Sequence, residues 1–80
     1  MALSEWEILG GLAEILDEET GVPAESVELG TRFTEDLGVD AAMMRVIAGH
    51  IEQKFRVPLP DGTAFARVGD AVAHIQATQG

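Results

Sequence analysis

Three apolar stripes at helical spacing decide what this chain can fold into. Ile8, Leu12, Ile15 and Leu16 fall at i, i+4, i+7 and i+8, one face of an amphipathic helix. Met44, Ile47, Ala48, Ile51 and Phe55 form a second stripe, and Val68, Ala71, Val72 and Ile75 a third. No alternating run long enough for a strand competes with them, and there is no internal repeat. The predicted fold class is all-α: a small up-and-down bundle of three main helices plus one short helix.

Local signals mark the boundaries. Ser4 with Glu7 three residues on is a capping box, and Leu3 with Ile8 fits the hydrophobic staple that accompanies one. Gly21 supplies a left-handed stop and Pro23 prevents continuation. Asp40 suits the cap of a second helix over Ala41 to Phe55, with Gly38 turning the chain just before it. Pro58 and Pro60 break the chain, Asp61-Gly62 makes a turn, and Thr63 to Ala66 gives at most one helical turn, anchored by Phe65. The last helix runs from Val68 to about Ala77, and Gly80 frays. Residues 22–39 form a long connection, which Val27, Leu29, Phe33 and Leu37 should pin to the core. The pattern leaves Trp6 unassigned between core and surface.

Eighty residues are expected to form a single domain, 1–80, with a core just large enough to fold alone. The absence of cysteine excludes disulfides, thiol catalysis and zinc–cysteine sites. No apolar run reaches the roughly eighteen residues of a membrane span, and no leader pattern opens the chain. The expectation is a soluble, cytoplasmic monomer without membrane contacts. A formal charge of −9 argues against nucleic acid as a partner. That charge is lopsided: the first forty residues hold eleven acids against Arg32 alone, the last forty three acids against four bases. A solvated acidic helix and loop is the plain reading of such a face.

Nothing points to catalysis. His50 and His74 stand on the second and last helices as lone surface histidines with no nucleophile to serve. The acids between Glu35 and Asp40 lack calcium-loop spacing, so no metal site is predicted beyond weak cation binding. The chain does not read as an enzyme.

The stretch Glu35-Asp36-Leu37-Gly38-Val39-Asp40 leads directly into the second helix. It resembles the attachment loop of acyl carrier proteins, where Asp-Ser-Leu follows Glu-Asp-Leu-Gly and the serine carries a 4′-phosphopantetheine arm. The resemblance continues at family spacing through Ile47, Ile51, Phe55, Leu59-Pro60-Asp61 and Val68-Gly69-Asp70, and covers essentially the whole chain. It implies a discrete carrier of fatty-acid or polyketide-type biosynthesis, served by a phosphopantetheinyl transferase and by acyl-transfer or synthase enzymes. It also implies an apolar cavity for a short acyl chain, with Met43, Met44, Ile47, Ile51 and Phe65 as candidate lining. Ordinary core filling accounts equally well for Met44.

Three departures qualify the resemblance. Ala41 stands where the arm-bearing serine is expected, so the cofactor belongs to a serine-bearing form and this sequence should carry none. Ala42 replaces the leucine. On the helix face where the family usually carries acids for basic partners, Met43, Arg45 and Val46 appear instead, and Glu52 alone keeps an acid. Partner contacts here should be more apolar and less electrostatic. Two origins fit Ala41: an engineered serine-to-alanine change that locks a carrier unmodified, or a naturally serine-less interaction module that docks without cargo. The intact loop favours the first, since arm attachment is its one evident use; the altered face favours the second.

Overall fold

Helix α1, Glu5–Thr20, starts at the expected cap. In the computed structural model, which describes residues 3–60 and 63–79, the Ser4 hydroxyl accepts the Glu7 amide at 3.2 Å and the Glu7 carboxylate accepts the Ser4 amide at 2.9 Å. Two of the orphan amides at the helix start are thereby satisfied. Gly21 ends the helix at φ 78°, its amide donating to the Asp17 carbonyl at 2.9 Å. Helix α2 spans Ala41–Phe55 and helix α3 Val68–Thr78. The three main helices fall on the predicted ranges within a residue.

The short helix does not. Residues 63–66 carry no helix; the chain there is held by the Thr63 amide and hydroxyl, both donating to the Pro60 carbonyl. A single 3-10 turn occurs instead at Ala24–Ser26, inside the long connection. Pro60 precedes this segment and gives its carbonyl to a local turn rather than to a helical ladder. The Asp61-Gly62 turn lies outside the described residues.

Helix α1 is the common partner of the bundle, packing against both α2 and α3. Ile8, Leu12 and Leu16 from α1, Ile47 and Ile51 from α2, and Val68, Val72 and Ile75 from α3 are almost fully buried. At roughly 1.5–3 kcal/mol per buried aliphatic side chain, this set is the main driving force for folding. Gly11 lets α2 come close: a Cβ there would sit 2.7 Å from the Phe55 ring.

The long connection is anchored by side chains and by backbone. Val27, Phe33 and Leu37 are buried as expected, Leu29 is half-buried, and Val39 joins them at 2 % exposure. The Val68 and Gly69 amides, unpaired within their own helix, donate to the Thr31 and Leu29 carbonyls at 2.8 Å each. The loop therefore caps α3. No helix among the described residues is long and apolar enough to cross a membrane.

Candidate functional site

The loop before α2 closes on itself. The Arg32 amide donates to the Asp36 carboxylate at 2.8 Å, and the Arg32 carbonyl accepts the Asp36 and Leu37 amides at 3.0 and 3.2 Å. Gly38 donates to the Thr34 carbonyl at 3.1 Å and Val39 to that of Phe33 at 2.9 Å. Gly38 takes φ 68°, which a glycine adopts at no steric cost. Leu37 and Val39 then point inward, leaving Glu35, Asp36 and Asp40 on the surface.

Charge follows this geometry. The Arg32 guanidinium lies 2.6 Å from the Glu35 carboxylate and 3.6 Å from that of Asp36. The Arg32 backbone amide is the main cause holding the Asp36 carboxyl below its ordinary pKa, and the guanidinium charge assists. No group of acids and histidines that could hold a metal ion occurs among the described residues.

Asp40 is the hinge between loop and helix. Its backbone is extended, its carboxylate accepts the Met43 amide at 2.8 Å, and its carbonyl accepts the Met44 amide at 2.9 Å. Ala41 occupies the first helical position and is exposed, as is Ala42. Residue 41 is thus presented to solvent beside the first amides of a helix, a setting that favours a phosphate group. The arm, however, is linked through a side-chain oxygen. The Ala41 methyl provides none, so the residues present do not fit covalent attachment.

Along α2, Arg45, Val46 and Glu52 are exposed and Met43 is half-buried. Val46 is among the few large apolar side chains left open, at 46 % exposure. Of the residues expected to line a cavity, Met44, Ile47 and Ile51 are buried in the core, and Phe65 is half-buried. The open space lies elsewhere: a groove of about 400 Å³ bounded by Arg45, Ala48, Gly49, Glu52, Leu59, Pro60 and Thr63. None of the five residues expected to line a cavity borders it.

Neither histidine is the free surface group expected from sequence. The His50 Nε2 lies 2.8 Å from the Glu19 carboxylate, tying α2 to the end of α1. His74 is half-buried with its ring 5.7 Å from that of Phe65, and its Nε2 has no hydrogen-bond partner. Contacts from other elements created both environments, and helical periodicity carries no trace of them.

Comparison with known proteins agrees with this loop-and-helix arrangement. The family described as "Phosphopantetheine attachment site" matches residues 11–75. The chain is 49% identical over 81 residues to an acyl carrier protein of Beutenbergia cavernae, covering 99% of both chains. It is 49% identical over 79 residues to one from Kineococcus radiotolerans, covering 96% of this chain and 98% of the relative. A meromycolate extension acyl carrier protein of Mycolicibacterium aurum is 42% identical over 78 residues, covering 95% of this chain and 80% of the relative.

Proposed function

Because this chain belongs to the acyl carrier protein family, whose members are carriers and not enzymes, we propose that it is a discrete carrier domain with position 41 as its arm-attachment position. One observation carries the reading: Ala41 is exposed at the first turn of α2, directly after an Asp40 cap and a closed Glu35-Asp36-Leu37-Gly38 loop. In its serine-bearing form the domain would present an acyl chain on 4′-phosphopantetheine, for fatty-acid or polyketide-type enzymes. With alanine at position 41 it takes up no arm. The similarity to a meromycolate extension carrier is compatible with a long-chain acyl cargo for that form.

Family members work with transferases and synthase enzymes, and here those partners would meet Met43, Arg45, Val46 and Glu52. The groove beside Ala48 and Gly49, of mixed polar and apolar lining, is where the first atoms of a tethered chain would find shelter. A longer one would need space in the core, to which Met44, Ile47, Ile51 and Phe65 belong. Such opening suits methionine, whose thioether repacks readily.

A second reading, a serine-less interaction module, draws on the exposed Ala42 and Val46, which replace the family's leucine and acid. The two are separated by giving a broad-specificity phosphopantetheinyl transferase and coenzyme A to the protein and to Ala41→Ser. The carrier reading expects no mass change in the first and one added arm in the second, read by intact-mass spectrometry. A folded Ala41→Ser that stays unmodified would support the interaction module. Modification of the unaltered chain would show that position 41 is not the attachment position.

A further inference from the structure

The molecule carries a second surface that the attachment loop does not use. Trp6, in the first turn of α1, is 75 % exposed, unusual for so large an aromatic side chain. It lines a groove of about 500 Å³ together with Leu9, Val27 and Leu29, of which Leu9 and Val27 are buried. Glu25 and Glu28, on and just after the 3-10 turn, stand along its edge.

These two acids have no cation to answer them among the described residues. Arg32 is engaged by Glu35 and Asp36, Lys54 by Glu14, and His50 by Glu19, and none of Arg45, Arg56 and Arg67 forms an ion pair with Glu25 or Glu28. An aromatic face beside two unpaired carboxylates is the combination that holds a guanidinium or ammonium group: the ring attracts the cation from one side and the acids from the other. The apolar lining adds room for an aliphatic neighbour.

We propose that the Trp6 groove docks a short basic segment of a partner protein, with an arginine or lysine stacked on the indole, its charge against Glu25 and Glu28, and an adjacent aliphatic side chain over Leu9, Val27 and Leu29. Charge selects this occupant over the others. A second copy of the chain would bring another net −9 to an acidic edge, and an anionic lipid surface would be repelled likewise.

The test uses the intact protein and the fluorescence of Trp6, the one tryptophan in the sequence. The probe is the peptide acetyl-Gly-Arg-Leu-Arg-Leu-Arg-Gly-amide, with a citrulline-for-arginine version as control. The arginine peptide should shift Trp6 emission saturably and move the backbone amide resonances of Leu29 and Gly30, and citrulline should abolish both effects. Glu25→Gln/Glu28→Gln and Trp6→Ala, both at exposed positions and expected not to lower the melting temperature, should each weaken binding by about five-fold or more. Trp6→Ala is followed by the amide resonances alone. Several results would overturn the proposal: a Kd weaker than about 1 mM at low salt, equal binding of the citrulline peptide, or full affinity in the double glutamine variant. Shifts centred on α2 would do the same. An emission shift with protein concentration alone, accompanied by a dimer in sedimentation, would assign the groove to a second copy. Saturation by laurate regardless of Glu25 and Glu28 would make it a lipid site.

Discussion

Asp36 and Arg32 hold each other at both ends of one turn: the Arg32 amide donates to the Asp36 carboxylate at 2.8 Å, and the Asp36 amide donates back to the Arg32 carbonyl at 3.0 Å. This reciprocal pair fixes the path by which the chain reaches Asp40 and then Ala41. Glu35 is different, because it touches the Arg32 guanidinium and no backbone group. Exposed ion pairs of that kind contribute little, whereas losing a carboxylate that satisfies a backbone amide opens the turn.

Asp36→Ala should therefore lower the melting temperature and speed hydrogen exchange at the Arg32 amide. Glu35→Gln should leave both nearly unchanged. Equal effects from the two substitutions would mean that the loop is held by charge alone.

Much of this was legible in sequence, for reasons that differ by residue. The helix ranges could be read because caps and stops act over three or four residues: Ser4 with Glu7, Gly21, and Asp40 each do their work locally. The displaced short turn, the half-buried His74 and the burial of Val39 could not be read, because each depends on what another element brings to it. The loop from Glu35 to Asp40 has a second explanation. Sequence gave arm attachment as its one evident use, yet Asp36 closes the turn, Leu37 enters the core, Gly38 supplies a positive φ and Asp40 caps α2. Each has a folding role that survives without a serine. An intact loop is thus weak evidence for how Ala41 arose.

Two glycines make a matched test of the backbone. A Cβ at Gly69 would meet the Leu29 carbonyl oxygen at 2.9 Å, the same oxygen that accepts the Gly69 amide at 2.8 Å. Gly69→Ala must push the long connection off α3 and should cost about 1–3 kcal/mol. At Gly49, inside α2, an added methyl meets nothing within 4 Å. Gly49→Ala should stabilise by about 0.5–1 kcal/mol, because alanine loses less backbone entropy in a helix. Denaturant melts of the two variants check the signs; a neutral Gly69→Ala would deny the close approach.

Val46 tests the proposed partner face. At 46 % exposure, Val46→Glu should change stability by no more than about 0.5 kcal/mol. In an Ala41→Ser background it should also speed modification by a transferase adapted to acidic carriers, since it returns an acid to a face where Arg45 now stands. An unfolded variant would place Val46 in the core, and an unchanged rate would mean that the transferase does not contact this position.

The acidic surface predicts opposite responses to salt and to acid. At neutral pH the chain carries a net −9, so added salt screens self-repulsion and should raise the melting temperature. Lowering the pH also removes negative charge, but it breaks specific bonds as it does so. The carboxyls of Glu7, Asp36 and Glu14 all lie below their ordinary values: Glu7 through the Ser4 amide, Asp36 through the Arg32 amide, and Glu14 through its hydrogen bond to Lys54. A carboxyl whose pKa is lower in the folded state contributes stability that is fully present above its unfolded value. That contribution is lost as the pH falls through the folded one. With ordinary values of 4.5 for the glutamates and 3.8 for the aspartate, the loss begins near pH 4.5 and continues below it. The melting temperature should accordingly rise with salt at pH 7 and fall steadily with pH below that point. Glu7→Gln combined with Asp36→Asn should lower stability at pH 7 and flatten the acid limb, because two of the three groups that titrate there are gone. A melting temperature that keeps climbing as the pH drops through 4 would show that relief of repulsion outweighs the loss of these three bonds.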